Sequence, residues 1–139
     1  MDIWVYIITG SQINYCLAHW QNAVNKWAFG VNASNIVTFN IKTGGTWSTP
    51  EPLSSGTCPI SEWVHLAVVA DGSNLKLYIN GTNDGTYTNR TIADRGGLLY
   101  VGKGYDSWYL RGYMDELRIS KGIARWTSNF TPETGPYTI

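Results

Sequence analysis

Short segments in which apolar and polar residues alternate constrain this chain more than any other feature. In residues 36–42, Val37, Phe39 and Ile41 fall on one side of an extended chain, and polar residues fall on the other. Such segments recur between clusters of Gly, Asn, Asp, Ser and Thr, and almost nothing has helical periodicity. The pattern predicts an antiparallel all-β protein of about nine or ten strands, packed as two sheets face to face.

One segment, Trp63–Ala70, is apolar on both sides, which predicts a central strand in a sheet whose outer face is also covered. Asp71–Asn74 is predicted to form the tight hairpin that follows it. Asn80-Gly81 and then Asn83–Gly85 are predicted to make the next reversal. The other predicted strands are Trp4–Ile8, Tyr15–Trp20, Lys26–Val31, Ile36–Lys42, Leu75–Asn80, Thr86–Arg90, Leu98–Gly102 and Arg111–Ser120.

Two stretches do not fit the strand pattern. Thr43–Ile60 is rich in Gly and Pro and is predicted to be an irregular loop with a functional role. Ser120–Trp126 is predicted to make a single helical turn before an extended tail.

Composition limits the function. The chain has 139 residues, 43% of them apolar, which predicts one domain over residues 1–139. Only 14% of the residues are charged and the formal net charge is zero, so the basic surface of a nucleic-acid-binding protein is missing. No apolar run approaches the roughly 20 residues that span a bilayer. We expect neither a nucleic-acid partner nor membrane insertion.

Cys16 and Cys58 are the two cysteines, too few for a disulfide framework or a zinc site. Two separate buried thiols are the simpler interpretation, although an oxidising compartment would allow the two to pair.

Two stretches resemble the laminin-G-like branch of the concanavalin A-like lectin/glucanase superfamily. Glu62–Ser73 continuing into Leu75–Gly81 is similar to the family's central hairpin, and Gly112–Trp126 with Thr131-Pro132 is similar to its closing strand and wrap-around tail. The resemblance implies a two-sheet antiparallel jelly-roll sandwich. Related domains occur in adhesion proteins, in secreted bacterial polysaccharide-binding and polysaccharide-degrading enzymes, and in bacteriophage appendages, so an extracellular, cell-surface or virion location is expected.

The chain also differs from other members of this family. Family members usually begin with another strand or two before the strand that Trp4–Ile8 resembles. Three explanations are open: the chain is a fragment of a longer gene, a neighbouring chain fills the gap, or the edge beside Trp4–Ile8 is covered in some other way. An unpaired edge there would favour a homodimer by strand pairing.

Catalytic machinery is not evident in the sequence. A retaining glycosidase needs two carboxylates about 5 Å apart, whereas the neighbours Asp115 and Glu116 are expected to point to opposite faces of a strand. His19 and His65 each lie between apolar residues of a predicted strand, without a nucleophile motif. These residues are expected to be structural, and the protein is not expected to be an enzyme.

Calcium is the one cofactor considered, because laminin-G-like domains often bind it at the rim of the sandwich. The free-standing acidic loop residues are Asp84, Asp94 and Asp106. They do not form a dense acidic loop that supplies six to eight oxygens, so no cofactor is predicted; Asp106 would contribute if calcium were present.

Aromatic residues carry the functional hypothesis, since the chain has seven Trp and nine Tyr. Exposed rings can stack on sugars beside polar groups that bind hydroxyls, although rings can also fold back over a core. The candidate sugar-binding residues are Trp47, Tyr105, Asp106, Ser107, Trp108 and Tyr109.

A non-catalytic carbohydrate-binding or adhesion module with a glycan partner is thus the first hypothesis. The alternatives are a structural or assembly domain of a virion or surface appendage and, third, a glycoside hydrolase.

Overall fold

The structure is a computed structural model that describes residues 1–72, 74–90, 92 and 96–137. Within these residues the chain forms strands and turns without a helix, which confirms the all-β prediction. The strands are β1 (Asp2–Ile7), β2 (Asn14–Trp20), β3 (Lys26–Val31), β4 (Ile36–Thr43), β5 (Thr46–Trp47), β6 (Leu53–Thr57), β7 (Trp63–Asp71), β8 (Asn74–Ile79), β9 (Thr82–Tyr87), β10 (Leu98–Val101) and β11 (Gly112–Arg118).

The strands form two antiparallel sheets. The first has the order β11-β1-β7-β8-β9, and the second has the order β10-β2-β3-β4-β5, with β6 also paired to β4. The edge beside Trp4–Ile8 is covered within the chain, the third of the explanations above, because β1 is hydrogen-bonded to β11 on one side and to β7 on the other. A homodimer through an unpaired β1 edge is therefore contradicted. The strands at the two ends of the first sheet are β11 and β9.

The main core lies between the sheets and is built by the alternation seen in the sequence. Val37, Phe39 and Ile41 are buried in it, as predicted. They meet inward-facing residues of the first sheet such as Leu66 and Leu77, which are fully buried.

A second apolar layer covers the outer face of the first sheet. Ala67, Val69 and Tyr78 are buried there beneath Trp126 and Phe130 of the tail. The two tail rings stack on each other with centroids 3.8 Å apart. The predicted cover over the central strand is therefore supplied by the chain's own tail.

Three local predictions are wrong. Ser120–Trp126 forms bends instead of a helical turn, and Gly122 within it has a φ of 82°, outside the right-handed helical range. The strand predicted at Thr86–Arg90 is β9, which starts earlier and contains Asn83–Gly85, because these residues pair with β8 directly after the Asn80-Gly81 turn. The stretch Thr43–Ile60 contains β5 and β6 and is not wholly irregular.

Candidate functional site

A row of four side chains crosses the outer face of the second sheet. Trp20 lies opposite Lys26, Lys26 opposite Lys42, and Lys42 opposite Trp47, on the adjacent strands β2, β3, β4 and β5. Residues directly opposite each other project to the same face. Since neighbouring strands lie about 4.8 Å apart, the two tryptophans flank two lysines across about 14 Å.

Small residues make the floor beside this row. Ala18 lies two residues before Trp20 on β2, and Ala28 lies two residues after Lys26 on β3, a spacing that keeps side chains on one face; both alanines are fully buried. Tyr105 covers them, together with Tyr15. The alanines leave room for a ring to lie flat against the sheet.

The loop after β10 brings Tyr105 to this position. The Gly104 N–H donates to the Trp108 carbonyl (2.9 Å), and the Trp108 N–H donates to Asp106 Oδ1 (3.0 Å). A Cβ at Gly104 would collide with the Tyr15 ring, so the close approach of the loop to the sheet requires glycine. The turn is therefore held by its own hydrogen bonds while Tyr105 packs inward.

Aromatic rings and one ammonium group meet at Tyr105. Its ring centroid lies 5.7 Å from Trp20 and 6.3 Å from Trp47. Lys26 Nζ lies 4.1 Å from the Tyr105 centroid and 4.7 Å from that of Trp20. Burial and the nearby Lys42 charge lower the pKa of Lys26, and burial raises the pKa of the Tyr105 hydroxyl. We call this surface, defined by Trp20, Lys26, Lys42, Trp47 and Tyr105, the Trp–Lys face.

Polar groups border the Trp–Lys face. Asn40 lies two residues before Lys42 on β4 and shares its face. Thr38 Oγ1 lies 2.6 Å from Asn40 Oδ1 and 2.7 Å from Glu51 Oε1, and its one proton can be donated to only one of them. An amide and a carboxylate thus border the rings, and the buried Thr38 hydroxyl lies between them.

Two of the predicted sugar-binding residues meet on this face. Trp47, from the stretch predicted as a loop, and Tyr105 come together there. Asp106 holds its own turn, and Ser107 is exposed. Trp108 is 44% exposed, and no described ring packs on it.

Tyr109 lies apart with a different cation. It is 55% exposed, and Lys103 Nζ lies 5.4 Å from its ring and 5.3 Å from that of Tyr100.

Sequence reasoning missed Trp20, Lys26 and Lys42 as site residues. Each belongs to a predicted strand, and the polar side of the segment 36–42 was expected to face water. Pairing the predicted strands on the two sides of the 21–25 turn would have set Trp20 opposite Lys26. This pairing is the sequence signal from which the row of four side chains could have been predicted.

Asp84 and Asp106, the two described residues of the three named for calcium, do not converge with other acidic residues. In the described part of the chain, no three His, Cys, Asp or Glu side chains form a group that could hold a metal ion. Asp84 accepts hydrogen bonds from Ser55 Oγ (2.6 Å) and the Gly56 N–H (2.8 Å). Asp94 lies outside the described residues.

The Asp115–Glu116 pair has local structural partners. Asp115 Oδ1 accepts the Glu116 N–H (2.9 Å), and Glu116 Oε2 accepts the Tyr137 N–H (2.8 Å) of the tail. Glu116 has a φ of 50° at an irregularity in the pairing of β1 with β11. These contacts fasten the tail to the sheet.

A buried polar network on the first sheet uses one of the histidines. His65 Nε2 lies 3.4 Å from Asp2 Oδ2 and 3.1 Å from the Tyr137 hydroxyl, and Arg118 Nη2 donates to Asp2 Oδ2 (2.9 Å). Burial opposes ionisation of Asp2, but hydrogen bonds from His65, Arg118 and Tyr137 outweigh it and lower the pKa of the carboxyl. The network binds the tail and both termini of the described chain to the first sheet.

His19 is held by stacking and by one hydrogen bond. Its ring stacks on Trp27 with centroids 5.6 Å apart, and Nε2 accepts the Gly97 N–H (3.2 Å). Cys16 and Cys58 are buried free thiols, and burial raises the pKa of each to about 12. Inert thiols of this kind serve packing.

A separate cleft of about 510 Å³ opens between the sheets beneath residues 119–126. Its walls include Val68, Leu99, Ile119 and Ile123, so the cleft is mainly apolar. It lies apart from the Trp–Lys face, and its polar lining residues include His19, Ser120 and Arg125. No described helix is long and apolar enough to cross a membrane.

The fold and its exposed face define a class of protein, the two-sheet antiparallel jelly-roll sandwich with aromatic and polar groups on an open sheet surface. A laminin-G-like model of the concanavalin A-like lectin/glucanases superfamily matches residues 1–125. The chain therefore belongs to this family, as the two sequence stretches implied. No curated protein matches it.

Two solved structures are similar in fold. Domain 4 of AbnA, a GH43 extracellular arabinanase from Geobacillus stearothermophilus, solved in complex with arabinotriose, has a TM-score of 0.63 and 18% identity over 82% of this chain and 55% of that one. The native heptameric SAP-like pentraxin from Limulus polyphemus has a TM-score of 0.53 and 12% identity over 83% of this chain and 59% of that one. This chain thus spans little more than half of the length of each of the two solved chains, and at these identities the likeness shows the fold alone.

Proposed function

We propose that the protein is a non-catalytic carbohydrate-binding module and that its glycan lies on the Trp–Lys face. The observation that carries the proposal is the meeting of Trp20, Trp47 and Tyr105 around a floor of alanines, beside Asn40 and Glu51. Rings stack on the apolar side of a pyranose, and the amide and carboxylate bind its hydroxyls. The arabinotriose bound to the AbnA domain supports a glycan as the ligand class.

The remaining predicted sugar-binding residues lie in the loop after Tyr105 and contribute less than the Trp–Lys face in this proposal. Asp106, Ser107, Trp108 and Tyr109 follow Tyr105 directly, so a longer saccharide could extend from the face onto this loop. We also propose an extracellular, cell-surface or virion location, where a module of this kind meets polysaccharide.

A glycan array followed by calorimetry of the best hits tests the proposal. Trp47→Ala is expected to weaken binding at least tenfold, about 1.4 kcal/mol, because the stacking ring is lost. Trp63→Ala is the matched control, since Trp63 is 47% exposed on the other sheet against 42% for Trp47. Absence of any glycan binding by the wild type, or an equal loss in both variants, would contradict the proposal.

Incubation with the bound glycan tests the non-catalytic part. Glu51 and Asp106 are the carboxylates beside the Trp–Lys face, and the charges of both act on Tyr15. We expect no release of reducing ends. Turnover that disappears in Glu51→Gln or Asp106→Asn would establish a glycoside hydrolase instead.

An assembly domain of a virion or surface appendage is the second candidate. Leu99, Ile119 and Ile123 are 46%, 48% and 65% exposed around the apolar cleft, and Leu99 lies on the edge strand β10. A second copy of the chain docking there would form the homodimer. Sedimentation of the wild type and of Ile123→Asp tests this docking. We expect the wild type to be a dimer and the aspartate to dissociate it. A wild type that is a monomer at high concentration would exclude the docking.

A further inference from the structure

The two lysines of the Trp–Lys face are placed where a sheet ordinarily avoids two like charges. Lys26 and Lys42 are directly opposite residues of the antiparallel pair β3 and β4. Like charges in that relation destabilise a sheet by a fraction of a kcal/mol. The arrangement therefore has an unfavourable Coulomb energy in the protein without a ligand.

Neither lysine has a carboxylate partner in the described residues. The salt bridges there join Asp2 to Arg118 and His65, Glu133 to Arg118, and Asp71 to Lys76. Asp106 acts on Lys26 at longer range and favours its charged form, whereas burial and Lys42 disfavour it. The positive charge of the pair is incompletely compensated.

Aromatic rings hold both ammonium groups at the surface where a sugar would stack. Lys26 Nζ and Lys42 Nζ each lie 5.4 Å from the Trp47 ring centroid. Cation–π attraction of this kind keeps an ammonium beside a ring without neutralising it. An anion that lies between the two lysines would be in reach of the same indole.

We propose that the Trp–Lys face selects acidic saccharides, with the anionic group of one sugar residue lying between Lys26 and Lys42 while its ring stacks on Trp47. The inference rests on the proposed function and deepens it. Carboxylate and sulfate share the chemistry that two ammonium groups recognise, since each is an anion that accepts several charge-assisted hydrogen bonds.

Binding to matched saccharides separates charge from stereochemistry. The probes are uronic-acid oligosaccharides and their carboxyl-reduced counterparts, together with a sulfated galactan and its desulfated form. Calorimetry at about 50 mM salt is expected to give at least tenfold tighter binding of an acidic probe than of its neutral counterpart, and the preference should shrink as salt screens the charges. The carboxylate and sulfate arms identify which anion is selected.

Charge-removing variants locate the effect. Lys26→Gln and Lys42→Gln should each weaken binding of the acidic probe several-fold more than binding of its neutral counterpart, so that the acidic preference falls. Lys76→Gln, on the outer face of the first sheet, is the control and should keep the preference. Thermal unfolding of each variant checks that it is folded.

The outcomes distinguish this inference from the proposed function. Equal binding of acidic and neutral members of every pair, or a preference that survives both lysine variants, would overturn the inference and leave carbohydrate binding standing. An equal loss of neutral and acidic binding in the lysine variants would show that the lysines only support the rings. No binding to any saccharide would remove both proposals.

Discussion

The outer faces of the two sheets carry similar residues and differ in what lies over them. On the first sheet, the tail places Trp126 and Phe130 over Tyr78 and Ala67. The cation there, Arg118, lies 3.8 Å from the Tyr137 ring centroid and is paired with Asp2. Every charged group of this cluster has a partner within the chain.

The second sheet has rings and cations without such a cover. Lys26 lies among Trp20, Trp47 and Tyr105, and no described segment beyond the Tyr105 loop packs over this row. The difference teaches that aromatic content alone does not locate a site. What distinguishes a ligand-binding face from a covered core is whether the chain itself supplies the partner.

The largest effect is expected where the tail seals the first sheet. Phe130→Ala should lower the free energy of unfolding by about 3 kcal/mol, because it removes a ring stacked on Trp126 and in edge contact with Tyr78 and His65. Urea denaturation measures the change. Ile123→Ala is the control within the same tail, and since Ile123 is 65% exposed it should cost less than about 0.5 kcal/mol. Similar costs for both variants would mean that the tail does not form a covering layer.

A smaller effect with a characteristic pH dependence is expected at Asp2. Asp2→Asn should lower stability at pH 7 by about 2 kcal/mol, because Arg118 loses its buried carboxylate. The pKa of Asp2 is lowered in the folded protein, so the stabilisation is complete above the unfolded pKa of about 3.9 and is lost as the pH falls through the folded value. The difference between wild type and variant, followed by urea denaturation, should therefore shrink below about pH 4.

A constant difference between wild type and Asp2→Asn down to pH 2 would contradict this account. It would show that the carboxylate's charge does not contribute and that the loss in the variant comes from the altered hydrogen bonding of the amide, which donates where the carboxylate accepted from Arg118.

The sequence predicted the layers well because alternation is a local property. β3 has the predicted bounds, and the central place of β7 followed from apolar residues on both of its sides. Family resemblance supplied the jelly-roll arrangement, which the family match confirms. The boundaries failed where pairing with another strand decides them, as when β9 starts at Thr82 because it pairs with β8.

The site was predictable only in part, because it depends on pairing between distant segments. Trp47 and Tyr105 were chosen as exposed rings in loops, whereas their meeting requires the Tyr105 loop to fold over Ala18 and Ala28. Lys26 and Lys42 carry no motif, and their significance arises only when the strands β3 and β4 are aligned in register.

The smallest effect tests the uncovered face by measuring how its two lysines interact. A double-mutant cycle with Lys26→Gln and Lys42→Gln cancels the loss of each lysine's own ring contacts and leaves their mutual repulsion. The double variant should be less stable than the two single changes predict by about 0.5 kcal/mol, because the second change no longer relieves any repulsion. High salt should abolish this coupling, and a Lys26–Lys76 control cycle should be additive. Coupling of the opposite sign would mean that the lysines support each other structurally, and the face would then resemble the covered one.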